Sequence, residues 1–334
     1  MYTLGIETSC DETSAAIVKD GRRFLSNIVI SSLPLHKKYG GVIPEIAFRM
    51  QMEVITCAAD CALKEAGIKL NNIGLISVTD GPGLLGSLVV GLSFAKGTSL
   101  SLDVPLIGVN HLHSHIYANF LNNRTPPKFP FVSLVVSGGH TSLFFMKDFD
   151  RIEILGSTQD DACGEAFDKA AKIIGLGYPG GPILEKMAKN GDPGKIKFNC
   201  SNTQRHLDFS FSGIKTAVLY YARGSFTGKR KLKSNKLNDI CASFQKTVVD
   251  TLIDKSLLAC KIKKSNKLVI GGGVAANNYL RQEFYRRLQK ERRVICYFPE
   301  LKLCMDNAAM VAGLGYQLFK KGYSSSLGLN VALN

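Results

Sequence analysis

Nowhere does this 334-residue chain approach the roughly 18 uninterrupted apolar residues of a membrane-spanning helix, so no transmembrane segment is expected. The start lacks the basic residues and long apolar run of a signal peptide. It also lacks the Arg- and Ser-rich, acid-poor character of a transit peptide, and Tyr2-Thr3-Leu4-Gly5-Ile6 reads as a strand instead. Nine cysteines contain no CxxC pair and are odd in number, which argues against a disulfide framework and for reduced thiols in a cytoplasm. Cys57 and Cys61, four apart on an expected helix, read as core residues. Acids are scarce: 27 Asp and Glu face 42 Lys and Arg, a formal charge of +15. Between Arg205 and Asn238 the single acid is Asp208 against eight bases. Further bases gather at Lys261–Lys267 and Arg281–Arg293, which points to a nucleic-acid partner for the C-terminal half.

Histidine is scarce as well. Three of the six lie in Asn110-His111-Leu112-His113-Ser114-His115. Residues four apart share one face of a helix, so His111 and His115 can present two imidazoles to one metal ion while His113 points elsewhere. Taken alone, such a pair is more often core packing or helix capping.

The apolar content, 45%, supports a sizeable core, and the length suggests two lobes. Tyr2–Val18 reads as strand, polar turn, strand, the turn Thr8–Ser14 suiting a phosphate or a phosphate-bound cation. Ser31–Tyr39 is loop-like, and Glu45–Gly67 is an amphipathic helix with Gly67 as its C-cap. Strands are expected at Leu75–Thr79 and Pro105–Val109, with a glycine-rich turn and the helix Leu88–Leu100 between them. That turn matches neither GxGxxG nor GxxxxGK[ST]. Phe131–Val136, Ser137-Gly138-Gly139-His140-Thr141-Ser142 and Leu143–Met146 repeat the opening strand–turn–strand layout, which suggests an internal duplication. Asp160–Ile174 is an expected helix, Gly175–Pro182 an irregular loop, and Arg223–Lys236 a flexible basic loop. Asp239–Cys260 is helical and Lys267–Ile270 a strand. Gly271–Asn278 then opens another helix, and after the strand Val294–Phe298 a last helix starts at Cys304 with Asp306 near its N-terminus.

Eight motifs, in order, together resemble the TsaD family, the bacterial tRNA N6-adenosine threonylcarbamoyltransferases. They are Gly5–Thr13, Asn110–His115, Ser137–Thr141, Gly164–Lys169, Tyr178–Gly181, Asp208–Gly213, Gly271–Asn277 and Met305–Asn307. The resemblance spans nearly the whole chain. It implies an α/β fold of the actin, heat-shock-chaperone and sugar-kinase (ASKHA) type, two duplicated RNase H-like lobes with a cleft between them. We place the N-terminal lobe at residues 1–112 plus 307–334 and the C-terminal lobe at 113–306.

The resemblance also implies one divalent metal ion per subunit, Fe2+ or else Zn2+, held by His111, His115 and Asp306. Substrate contacts, including the adenylate, map onto Val135, Val136, Ser137, Gly138, Gly139, Asp168, Gly181 and Asn277. Glu185 stands where the family often has Asp, and Cys304 where it often has Ser. The implied reaction moves a threonylcarbamoyl group from its adenylate to N6 of adenosine 37 of tRNAs reading codons that begin with A. A cation would stabilise charge as AMP leaves, and glycine-turn N–H groups would meet developing negative charge. Asp11, Glu12 and His140 are the candidate bases for the N6 proton. Gly181 and Gly272 would let the purine approach closely. Phosphate contacts with tRNA are expected from Lys229–Lys236.

The implied partners are tRNA, a TsaB paralogue as heterodimer partner, docked on the Glu45–Gly67 helix, the ATPase TsaE and a TsaC-type synthase; no membrane is implied. A metalloprotease reading fails at Leu112, where those enzymes need Glu. A sugar or acetate kinase shares the fold, but metal-ligand histidines at this place would be unusual for one. A scaffold like TsaB would lack the paired histidines.

Overall fold

The computed structural model describes residues 1–225, 234–291 and 294–332. Two compact units divide the chain: Met1–Pro127 with Pro299–Asn334, and Lys128–Phe298. Unit 1 contains β1 (Tyr2–Glu7), β2 (Glu12–Lys19), β3 (Arg23–Ser31), α1 (Leu33–His36), α2 (Pro44–Ala66), β4 (Ile73–Gly81), α3 (Leu85–Leu102), β5 (Leu106–Asn110) and α4 (His111–Tyr117). Unit 2 contains β6 (Phe131–Val136), β7 (Thr141–Met146), β8 (Ile152–Ser157), α5 (Cys163–Ile173), α6 (Gly180–Ala188), α7 (Ser212–Ser225), α8 (Ser234–Ile262), β9 (Lys267–Gly271), α9 (Asn278–Glu291) and β10 (Ile295–Tyr297). The chain then returns to unit 1 with α10 (Ala308–Lys320).

The duplication suggested by the two hairpins is plain in the sheets. Unit 1 orders its strands β3-β2-β1-β4-β5 and unit 2 orders them β8-β7-β6-β9-β10. In each, the first three strands run antiparallel and the last two lie parallel to the first. β1 is buried on both faces, and its alternation assigns them. Leu4 and Ile6 join Ile55, Ala58 and Leu92 in one core. Gly5 faces α10, where a Cβ would stand 2.3 Å from the Ala308 carbonyl, so only glycine lets the helix settle this low.

Several expectations need correction. The unit boundaries fall at Pro127/Lys128 and Phe298/Pro299, not at 112/113 and 306/307, because α4 packs on α10 and stays with unit 1. β3 and β8 escaped notice: both are edge strands whose mixed exposure blurs the alternation. A short helix, α1, lies within Ser31–Tyr39. Gly175–Pro182 is not wholly irregular, since α6 begins at Gly180. α5 starts at Cys163 because the Asp160 carboxylate is drawn away to Ser210 Oγ (2.5 Å) and to the Phe211 N–H (2.8 Å). Arg223 and Lys236 are helical, and residues 226–233 lie outside those described. Cys57 and Cys61 are exposed on α2.

α3 is long and apolar enough to span a membrane by composition alone. It packs on α2 and β4 through the buried Ser87, Leu88, Gly91, Leu92 and Ala95, with Leu85, Val89 and Leu100 left exposed on its other face.

Asp80, at the end of β4, yields a stability prediction. Burial pushes its carboxyl from the ordinary 3.8 up to about 6, its own backbone N–H offsetting part of the shift. Between those values the folded chain holds a proton that the unfolded chain has released. Stability therefore falls as pH rises from about 4 to about 6, by roughly 2–3 kcal/mol, and stays lower above. Asp80→Asn is expected to stabilise the protein at pH 7.5 and to flatten that slope. Denaturant melts that leave the variant no more stable than the parent at pH 7.5 contradict this.

Candidate metal centre

The three candidate metal ligands come from the starts of two helices in unit 1. Asn110 caps α4, its side-chain oxygen accepting from the N–H groups of Leu112 (2.9 Å) and His113 (3.1 Å). His111 thus becomes the first helical residue and His115 follows one turn later, the rings 4.6 Å apart edge to face. Asn307 caps α10 in the same way, accepting from the Met310 N–H at 3.1 Å. The first-turn N–H groups of Ala308 and Ala309 go to Ser14 Oγ and Asn27 Oδ1. Asp306 therefore precedes the cap: the last helix, expected to start at Cys304, starts at Ala308, and Asp306 lies just outside it. α10 approaches α4 closely at Gly313, where a Cβ would sit 2.3 Å from the Tyr117 ring.

This brings Asp306 Oδ1 to 3.1 Å from His115 Nε2 and 3.6 Å from His111 Nε2. The donor atoms of His111, His115 and Asp306 all lie within 4.8 Å of one another. Ligands at about 2.1 Å from one tetrahedral centre are about 3.4 Å apart, so these separations fit a shared cation. His115 is fully buried, yet neither of its ring nitrogens makes a hydrogen bond among the described residues. Its approach to Asp306 is a proximity without hydrogen-bond geometry, as expected of two groups aimed at a common third. An imidazole buried in this way is costly without a ligand. The set suits Fe2+ or Zn2+, two imidazoles and a carboxylate leaving coordination positions open.

Glu7, quoted in a motif but not singled out from the sequence, stands behind His111. Its fully buried carboxylate lies 3.0 Å from His111 Nδ1 and accepts from Thr79 Oγ1 (2.6 Å) and the Ser9 N–H (2.5 Å). Ser9 Oγ is 3.2 Å from the same nitrogen. A carboxylate on the far nitrogen fixes the tautomer and turns Nε2 toward the metal position. Burial alone would lower the His111 pKa, but the Glu7 and Asp306 charges and the Glu7 hydrogen bond raise it to about 9. A proton thus stands in for the cation in the metal-free chain. Desolvation works against ionised Glu7, yet His111 holds its carboxyl below the ordinary value. His113 lies outside the cluster, burial lowering it to about 4. The Cys304 thiol donates to the Glu300 carbonyl.

Of the candidate bases, Asp11 and Glu12 belong to unit 1. Burial, then the charges of Asp306 and Asp11, push the Glu12 carboxyl up to about 10, so it holds its proton in the metal-free chain. His140 belongs to unit 2, in the turn after β6. There its carbonyl accepts the Ser137 N–H (2.8 Å), and its own N–H donates to Ser137 Oγ (3.1 Å). Gly138 and Gly139 are exposed, and a Cβ on either would meet nothing within 4 Å. The turn is backed by the N-terminus of α5, where Gly164 packs against Gly138 and its N–H reaches the Ser137 carbonyl at 3.0 Å. That arrangement favours an anionic ligand.

The remaining expected contacts are bound up with the scaffold. Val135 and Val136 are wholly buried, so neither side chain is open to a ligand. Asp168 Oδ1 accepts from the Gly180 and Gly181 N–H groups (2.6 and 3.3 Å), capping α6. Glu185 reaches the Asn278 N–H at 2.9 Å and ties α6 to α9. Asn277 caps α9 and donates to Gln245. Gly272, expected to make room for a purine, has a φ of +94° and faces the Val136 carbonyl, 2.3 Å from where its Cβ would be. Gly181 does have open space.

Two five-stranded sheets of the same strand order and sense give this chain the ASKHA fold. Solved structures agree on the fold. Full-length HypF in its phosphate- and nucleotide-bound form matches at a TM-score of 0.61 and 15% identity, over 96% of this chain and 46% of that longer one. The activator of 2-hydroxyisocaproyl-CoA dehydratase from Clostridium difficile matches at 0.54 and 17%, over 96% and 97% of the two chains. The family model of TsaD, tRNA N6-adenosine threonylcarbamoyltransferase, matches residues 23–313. Relatives of that name from Caldicellulosiruptor saccharolyticus and Clostridium kluyveri are 50% and 51% identical over 332 and 335 residues, 99% of this chain and 96% of each relative. The chain belongs to the TsaD family.

Proposed function

We propose that this chain transfers the threonylcarbamoyl group from threonylcarbamoyl-AMP to N6 of adenosine 37 in tRNAs that read codons beginning with A. The carrying observation is the buried, hydrogen-bond-free His115 converging with His111 on Asp306. A divalent ion there, Fe2+ or Zn2+, would supply Lewis-acid stabilisation of the oxygens that gain charge as AMP leaves. The Gly138 and Gly139 backbone N–H groups, beside the Ser137 side chain, suit the anionic adenylate. Asp168, Gly181, Glu185 and Asn277 hold the surrounding helix starts in place. Glu12, protonated when the metal is absent, suits proton donation, leaving Asp11 and His140 as the acceptors for the N6 proton.

The acceptor is a tRNA, whose phosphates the C-terminal bases attract. Of the segment Lys229–Lys236 assigned to this contact, Lys229–Lys233 lie outside the described residues; Lys236, on α8, sits over the Tyr221 ring. The packed helices α2 and α3 leave Met52, Leu85 and Val89 exposed, a face suited to a TsaB paralogue. TsaE and a TsaC-type synthase complete the cytoplasmic pathway, which needs no membrane.

The test combines the chain with those partners, unmodified tRNA, threonine, bicarbonate and ATP. N6-threonylcarbamoyladenosine in the digested tRNA is the expected product. A complete mixture whose tRNA stays unmodified overturns the assignment.

A further inference from the structure

The turn between β1 and β2 carries Ser9, which touches His111, and the carboxylates Asp11 and Glu12. Within the turn, Ser9 is tied to the histidine directly through its Oγ and through its N–H on Glu7. Two neighbouring helices brace the rest of the turn. From α2, the Gln51 side-chain amide donates to the Cys10 carbonyl (2.8 Å) and the Glu12 carbonyl (3.1 Å), spanning the turn. From α3, Ser87 Oγ reaches the same Cys10 carbonyl (3.3 Å), and the Ser87 carbonyl accepts from Thr8 Oγ1 (2.8 Å).

Gln51 is 1% exposed, on a helix face otherwise made of Ala47, Ile55, Ala58, Ala59, Ala62 and Leu63. Both donations use its nitrogen, which fixes the amide's orientation and leaves Oε1 buried without a partner among the described residues. An orphaned acceptor in an apolar core costs stability, and an apolar side chain of the same length would avoid that cost. What the glutamine supplies that an apolar side chain would not is two donations, to carbonyls of the turn that carries Ser9 and leads into Glu12.

We propose that Gln51 is a positioning residue for the metal centre, and that with Ser87 it sets the Thr8–Glu12 turn so that Ser9, Asp11 and Glu12 address the His111–His115–Asp306 cluster. The inference rests on the transferase reading only for its kinetic readout. Its spectroscopic readout needs no substrate.

Gln51→Met keeps length and packing but donates nothing. Loaded with Co2+ as a probe, this variant is expected to shift the visible d–d bands of the parent. It is expected to bind Co2+ about tenfold more weakly, as loss of groups that orient ligands does. Its melting temperature without metal is expected to fall modestly, since the Cys10 and Glu12 carbonyls lose a donor while one orphaned oxygen is removed, so spectrum and affinity are compared well below both melting temperatures. In the reconstituted assay kcat falls about tenfold with KM for tRNA unchanged. An unchanged Co2+ spectrum and affinity overturn the proposal. A loss of affinity that merely follows a lower melting temperature does so too, because it marks a structural role. Should Gln51→Met fail to fold, Ser87→Ala removes the second donor. It is expected to weaken Co2+ binding about threefold, and a variant matching the parent in spectrum and affinity overturns the proposal equally.

Discussion

The His115→Ala chain is expected to bind no stoichiometric divalent metal and to form no N6-threonylcarbamoyladenosine. His115 has no hydrogen bond to lose, so the metal-free variant should remain folded, with at most the cost of a small cavity. What disappears is one of three donors and the geometry that drew Asp306 inward. Affinity should drop by more than about a hundredfold, and turnover by more than about a thousandfold if the cation carries the leaving-group charge. Calorimetry separates this from misfolding. Metal at about a hundred times its Kd stabilises a native state by about 2.7 kcal/mol, so the parent's melting temperature should climb on adding metal while the variant's stays put. A variant that still gains stability with metal, or still modifies tRNA at the parent's rate, contradicts the assignment of His115.

Glu7→Gln is the second large effect, and its sign with pH is its signature. In the metal-free parent, His111 keeps a proton up to about 9 because Glu7 and Asp306 outweigh its burial. A metal ion must displace that proton, so apparent affinity should rise about tenfold per pH unit until about 9. The same raised value stabilises the metal-free fold below about 6.5, and that contribution fades as pH rises toward about 9. Removing the Glu7 charge lets His111 release its proton earlier, so the slope between pH 7 and 9 flattens. Loss of the orienting charge, and of one of the two acceptor oxygens that serve Ser9, Thr79 and His111, meanwhile lowers affinity at pH 9 by about 10–100-fold. Isothermal titrations at pH 7, 8 and 9 decide it. An unchanged slope means Glu7 does not govern the His111 proton.

How much of this was legible in the sequence depended on how local the cause was. The i, i+4 spacing of His111 and His115 is a property of one helix and could be read directly, as could the β1 and β6 hairpins. The convergence of Asp306 depends on α10 settling onto Gly5 and Gly313, contacts spanning some two hundred residues or more, and only the family resemblance pointed to it. Glu7 was quoted and passed over, since a carboxylate ending a strand gives no local sign that it will face an imidazole; its burial in an apolar strand was the available hint. α6 was hidden because Asp168, twelve residues upstream of Gly180, supplies its cap. Asp168 and Asn277, which the resemblance assigns to the ligand, also serve helix starts, a use that depends on residues distant in sequence. Gln51 carried no signal, being one polar residue within a long amphipathic pattern.

The most direct measurement strips the chain with a chelator and restores metal stepwise, reading bound ion and N6-threonylcarbamoyladenosine formation together in the reconstituted mixture. One ion per chain, with product rising in proportion to it and both lost in His111→Ala plus His115→Ala, is the predicted result. Full product formation from the stripped chain, or from that double variant, would contradict the metal-centred account.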